Sequence, residues 1–191
     1  MRDKKKEIII AASSLFNREG YVNSSLDKIA TFAQVSKMTL YKYFADKEAI
    51  ILEVLALRRK EFIEDLRAVI ASQSTPRMQL QSIFAYYGKC FAEDDFNGCM
   101  FARAVADNGM SSSLIVKAND DFKVELYTLL LNILRQTLKP EPAERCTLNM
   151  IILIDGAISL ALSPSLSREY PPATLAWMAA KTHIFAQGGK W

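Results

Sequence analysis

The stretch Ser25-Leu-Asp-Lys-Ile-Ala-Thr-Phe-Ala-Gln-Val-Ser-Lys-Met-Thr-Leu-Tyr-Lys-Tyr-Phe-Ala-Asp-Lys47 limits what this chain can fold into more than any other. Leu26, Ile29, Ala30 and Ala33 stand three, one and three apart, as one buried helix face requires, and Val35, Leu40 and Phe44 continue the buried set. The spacing predicts two short helices joined by a tight turn, the shape of a DNA-reading helix-turn-helix. The second helix leaves Lys37, Met38, Thr39, Tyr41, Lys42 and Tyr43 outside that buried set. Such side chains suit a duplex: ammonium groups meet phosphates or guanine edges, phenol hydroxyls meet phosphate oxygens, and a Thr meets a base or a thymine methyl. Periodicity alone leaves a second reading open, a plain packing unit with an exposed polar face.

Upstream, Ile8, Ile9, Ala12, Leu15 and Phe16 share one helical face, with Ser13, Asn17 and Arg18 on the other, and Gly20 is placed to close the helix. A charged start followed by an apolar run invites the reading of a secretory signal. Asp3 and Glu7 interrupt the basic region, and the amphipathic spacing makes it a first helix instead. Met150 to Leu162 is the most apolar run, but Asp155 breaks it and it falls short of the ~20 residues a membrane span needs. No membrane partner is expected. Cys90, Cys99 and Cys146 cannot all pair within one chain and lack CxxC spacing, which favours a reduced, cytoplasmic setting. A single histidine, His183, and no Cys/His cluster give no basis for a metal or a cofactor, although carboxylate ligands alone stay open.

The register of Ser24-Ser25, Ile29-Ala30, Ala33, Val35-Ser36-Lys37, Thr39-Leu40-Tyr41, Tyr43-Phe44 and Lys47-Glu48 resembles that of the TetR-type (TetR/AcrR) transcriptional regulators. The likeness extends from Ile8 to Ile50, taking in Ala12, Leu15-Phe16 and Gly20-Tyr21; beyond it, only length and helical texture are similar. The resemblance implies phosphate contact by Ser25, Tyr41, Tyr43 and Lys47, and base or groove contact by Lys37, Thr39 and Lys42, with Ser36 and Met38 among the DNA-binding residues. Two positions depart from the family pattern, which often has Gly where Gln34 and Met38 stand here. A Gln in the turn is expected to take a positive φ at a cost of roughly 1 kcal/mol, and Met38 to hold the helix backbone away from a base.

Turn-forming residues place the remaining breaks at Ser74-Thr75-Pro76, Asn97-Gly98, Asn108-Gly109, Lys139-Pro140-Glu141-Pro142, Ser163-Pro164 and Tyr170-Pro171-Pro172. Between them the pattern predicts helices over 4–19, 25–33, 36–43, 46–72, 77–93, 99–108, 112–138, 143–162 and 173–187, and no strand. The expected fold is therefore all-α with about nine helices. The resemblance implies that a three-helix head over 1–47 binds DNA and that a helical body over 48–191 binds a ligand and dimerises. Residues 1–60 carry twelve Lys/Arg against seven Asp/Glu, while residues 61–191 carry twelve against fourteen, so the basic excess coincides with the head. The fourth helix, capped by Asp46, supplies core residues Ile50, Ile51, Val54, Leu55, Phe62, Leu66 and Ile70 and serves as a lever between head and body.

In the body, Phe84, Tyr86, Tyr87 and Phe91 share one helix, with Phe101, Phe122, Tyr127 and Trp177 beyond it. Ordinary core packing accounts for such residues. The resemblance implies in addition a pocket for a small inducer, to which Phe84, Tyr87, Phe91, Phe101, Arg103, Phe122, Tyr127 and Asp155 are assigned. Arg103 also has a simpler partner in Asp107 at i+4. Asn97-Gly-Cys-Met-Phe-Ala-Arg103 is similar to the start of the sixth helix in one subset of the family, which makes Cys99 either a redox thiol or an inert one. The last two long helices carry more apolar residues than one core-facing stripe uses. By the resemblance they pair about a two-fold axis, which suits a palindromic operator. Three functions compete: a dimeric ligand-responsive repressor, an adaptor whose body binds a protein, and an enzyme using Cys99 with His183. The last has no GxSxG, HExxH, P-loop or GxGxxG to support it, so no catalytic residue is expected.

Overall fold

The computed structural model describes residues 3–109 and 112–190. Met1 and Arg2 of the expected head, and Met110, Ser111 and Trp191 of the expected body, lie outside them. Ten helices and no strand are present among the described residues: α1 Lys4–Glu19, α2 Leu26–Phe32, α3 Lys37–Tyr43, α4 Lys47–Ala71, α5 Pro76–Phe91, α6 Met100–Asn108, α7 Ser113–Leu134, α8 Pro140–Ala161, α9 Pro164–Ser167 and α10 Pro172–Ala186. The tenth is α9, a single turn inside the stretch expected to be irregular. Its cause also shifts the start of α8 to Pro140. Proline lacks only an N–H that a first helical turn leaves unpaired, and its fixed φ suits that turn. Prolines taken as breaks thus open α5, α8, α9 and α10.

Packing divides the chain into two compact units: residues 1–61 with 99–122, and residues 62–98 with 123–191. Helices α4 and α7 each contribute to both. These packing units are drawn by contact, whereas the division at residues 47 and 48 concerns function and is our proposal.

In the first unit, α1 buries Ile8, Ile9, Ala12, Leu15 and Phe16, all five of the residues its periodicity assigns inward. Leu40 and Phe44 are buried beside Ile29, and α4 adds Ile50, Ile51, Val54 and Leu55. Gly20 closes α1 with φ +82°, its N–H donating to the Phe16 carbonyl at 2.9 Å. A Cβ there would lie 2.9 Å from Arg103 Nη2 and 3.2 Å from Asp107 Oδ2. Those two α6 side chains hold the end of α1. Arg103 Nη1 donates to the Asn17 carbonyl at 2.8 Å, and the Tyr21 N–H donates to Asp107 Oδ2 at 2.8 Å. The fully buried Tyr21 hydroxyl donates to the Met100 carbonyl at 3.1 Å, and burial pushes its pKa up. Phe101 and Phe122 stack with ring centres 4.1 Å apart and planes within 3°.

In the second unit, α10 packs on α8 and α5. Phe84 and Trp177 meet at 5.6 Å, and a Cβ added to Gly88 would stand 3.4 Å from the Ala173 Cβ, so α5 and α10 approach closely. Leu66, Leu80, Ile83, Leu126, Leu130, Met150, Ile154, Ala180 and Ile184 fill the rest. Outside this core, α8 exposes Leu148, Ile152, Asp155, Gly156 and Ser159, and α10 exposes Leu175, Met178, Thr182 and Phe185. Spacings of three and four place each set on one helix face.

Candidate nucleic-acid interface

Helices α2 and α3 are seven residues each, too short to persist in water without help at their ends. Ser25 Oγ accepts from the Lys28 N–H at 3.2 Å and so caps α2. Ser36 Oγ accepts from the Thr39 N–H at 3.0 Å, caps α3, and hydrogen-bonds the Thr39 hydroxyl at 2.9 Å. Asp46 Oδ1 accepts from the Ala49 N–H at 2.8 Å and caps α4, as its position predicts. Between α2 and α3, the Val35 N–H reaches the Ala30 carbonyl at 3.0 Å and the Gln34 N–H reaches the Thr31 carbonyl at 3.1 Å. This crossed pair of bonds is a Schellman closure, which requires a left-handed residue at its centre. Gln34 supplies it with φ +54°, as expected for a turn whose glycine has been replaced.

With Leu40 and Phe44 turned inward, α3 presents the remainder to solvent. Met38 is 84% exposed and Tyr41 55%, Lys37, Lys42 and Tyr43 are exposed, and Thr39 is half-buried. Ser25 and Ser36 are exposed at the caps beside them. Lys47, the first residue of α4, is half-buried; that burial lowers its pKa, opposed by the nearby Asp107 carboxylate. The helix therefore exposes cations, phenols and one flexible apolar side chain, and Lys47 adds a half-buried ammonium at the N-terminus of α4.

One contact in this surface was not anticipated. Lys37 Nζ lies 2.7 Å from Asp27 Oδ1, and the hydrogen bond from Lys37 to that carboxylate raises the lysine pKa. Both side chains are more than half exposed, so the pair exchanges readily with water or a phosphate. The available signal was the acid in the first turn of α2, but only the turn geometry brings it opposite Lys37.

The residues assigned to an inducer pocket divide between the packing units. Phe84, Tyr87, Phe91, Tyr127 and Asp155 belong to the second, and Phe101, Arg103 and Phe122 to the first. Tyr87 and Phe91 adjoin with ring centres 6.1 Å apart, and Phe62 lies 5.4 Å from Tyr87. Tyr127 is half-buried on α7. Asp155 is exposed on α8 and paired with Lys123. Arg103 is engaged with the Asn17 carbonyl at the end of α1. Among the described residues, no group of three or more His, Cys, Asp or Glu could hold a metal, and no helix is long and apolar enough to cross a membrane.

Residues 8–54 match the model of the bacterial regulatory proteins, tetR family. Over 93 residues the chain is 31% identical to the fatty acid metabolism regulator protein of Bacillus subtilis; the match spans 49% of this chain and about half, 48%, of that relative's length. The fold is similar to that of SCO4454, a TetR-family transcriptional regulator from Streptomyces coelicolor, with a TM-score of 0.86 at 18% identity, covering 97% of this chain and 90% of that one. It is also similar to the transcriptional regulator FadR from Bacillus subtilis in complex with stearoyl-CoA, with a TM-score of 0.72 at 18% identity over 94% of this chain and 97% of that one.

Proposed function

We propose that this chain, whose residues 8–54 match the model of the bacterial regulatory proteins, tetR family, is a dimeric, DNA-binding repressor released from a palindromic operator by a mostly apolar small molecule. The observation that carries the reading is the α3 surface: Lys37, Met38, Tyr41, Lys42 and Tyr43 exposed on a helix whose inner residues and cap are fixed. A frame this well fastened orients side chains for a groove. Lys42, Lys37 and Thr39 reach base edges, while Ser25, Tyr41, Tyr43 and Lys47 contact phosphates.

Dimerisation is supported by the stripes on α8 and α10, where Ile152 is 67% and Phe185 72% exposed. Apolar faces on adjacent helices of one unit are self-complementary material for a two-fold interface. Two heads must then engage major grooves one helical turn apart, roughly 34 to 36 Å, so a change of a few ångströms in their separation forfeits one half-site. The effector is placed in the second unit near Phe84, Tyr87, Phe91 and Tyr127. A stearoyl-CoA complex of a structural neighbour supports an effector with a long apolar portion. By reciprocity, operator DNA weakens effector binding by the same factor. The protein acts in the cytoplasm and without catalysis.

Selection of bound sequences from a random DNA pool tests the reading. A palindromic consensus with half-sites one helical turn apart supports it, and the absence of any enriched sequence overturns it. Sedimentation at micromolar concentration should give dimers, and monomers of about 21.5 kDa alone would remove the two-headed geometry. The same stripes favour a second reading in which they dock a different protein; monomers that bind single half-sites would support that adaptor.

A further inference from the structure

Within the first packing unit, α4 and α7 run side by side. Ser112 Oγ donates to Glu48 Oε2 at 2.8 Å near one end, and Arg59 Nη1 lies 3.5 Å from Asp121 Oδ2 at the other. The pairings advance together along both helices, so they are parallel here over roughly 13 Å at 1.5 Å per residue. Between them lies a solvent-accessible groove of about 200 Å³ lined by Leu52, Leu55, Ala56, Arg59, Leu114, Lys117, Ala118 and Asp121. One part of that lining is hydrocarbon: Leu55 is buried, Leu52 half-buried, and Leu114 is 53% exposed. The other is charged, with two cations and one carboxylate, Lys117 Nζ standing 2.7 Å from Asp121 Oδ1.

We propose that this groove is a second effector site, which takes a small carboxylate with a short hydrocarbon tail and through it lowers affinity for DNA. The regulatory half rests on the DNA-binding reading; the binding half does not. An apolar slot with a net positive mouth matches an amphipathic anion. Its volume lies below the ~300 Å³ at which pockets for drug-sized ligands begin, so the tail is short. The anion displaces the Asp121 carboxylate from Lys117 and Arg59, and Asp121 turns to water. An occupant spreads α4 from α7 and loads the Ser112–Glu48 bond, one residue from Lys47, the phosphate-binding lysine at the start of α4. Aromatic residues of the second unit play no part.

Isothermal titration of the full chain without DNA, using octanoate, octanol, octylamine and acetate as probes, tests the site. Octanoate should bind best and acetate least. Lys117→Gln should weaken octanoate about tenfold, the worth of one charge-assisted hydrogen bond, and Asp121→Asn should tighten it several-fold. Neither substitution should move octanol. Ala118→Leu, which fills the groove, should weaken both; should that variant melt early, Ala56→Leu on the exposed lip serves instead. Octanoate binding unchanged by Lys117→Gln and by the filling variant puts the ligand elsewhere and overturns the site, as does tightest binding by octylamine. The regulatory half is read on operator DNA with and without saturating octanoate, and equal affinities overturn it. A chain that binds octanoate as described but no DNA at all defeats the repressor reading while the groove stands.

Discussion

Helices α2 and α3 differ from α8 and α10 in almost every respect that makes a helix persist. The first pair are seven residues each, begin at serines whose hydroxyls accept a backbone N–H, and bury only two and one residues. The second pair are 22 and 15 residues, begin at prolines with no side-chain cap, and bury six residues each. One pair is defined by its ends, the other by its packed face. End-capping costs no surface, so it leaves a short helix free to offer its outer side chains to DNA, whereas packing occupies the surface it uses.

This contrast is broken most directly by cutting into the packed pair. Trp177→Ala removes the ring that meets Phe84 and should cost ~3–5 kcal/mol of stability, measured by urea denaturation followed by circular dichroism. A loss below ~1 kcal/mol would mean that α10 does not depend on its packed face. On the other side, Lys42→Ala should change function and not fold: preference at one position in each half-site relaxes about tenfold in a DNA selection. Lys47→Ala, by contrast, should weaken all sequences alike and flatten the salt dependence by about one unit. An unchanged selected motif in Lys42→Ala removes that residue from the base readers.

Smaller effects sharpen the point about ends. Ser36→Ala leaves the Thr39 N–H without its acceptor and should destabilise the head by ~1 kcal/mol, with amide exchange accelerated across α3 and not in α8. Uniform exchange in both helices would show that the cap is not what holds α3. Gln34→Gly should do the reverse, raising stability by up to ~1 kcal/mol, because glycine takes the left-handed φ of +54° without the Cβ penalty. A thermal melt that falls in Gln34→Gly would place another constraint on that turn.

The same division explains what could be read from residue order. Period-3.6 spacing located all five buried residues of α1, and the cap Asp46 was visible because a cap acts within three residues; Ser25 and Ser36, read as DNA-binding residues, were not identified as caps. Pro140 and Pro164 misled because proline marks both a break and a first turn, and only the packing of the residues downstream decides between them. Arg103 was legible as a cation but not as a donor to Asn17, a partner 86 positions away. The α4–α7 groove was illegible for the same reason: Leu52 and Leu114 belong to segments that meet only in the folded unit. Asp27 and Lys37 are ten residues apart, yet their pairing depends on how the Gln34 closure aims one helix across the other.

The clasp that Arg103 and Asp107 place on the end of α1 also sets an order of events during synthesis. Residues 1–61 leave the ribosome with Tyr21 and the carbonyl of Asn17 still lacking their α6 partners, and the unit is complete only once residue 122 has emerged. At 5–20 residues per second the wait is roughly 3–12 s. Through that interval the nascent chain already contains the whole segment proposed to read DNA, but the segment that steadies it is still being translated. The second unit, whose α10 ends at Ala186, closes last. The part proposed to touch DNA is therefore finished before the part expected to find a second copy.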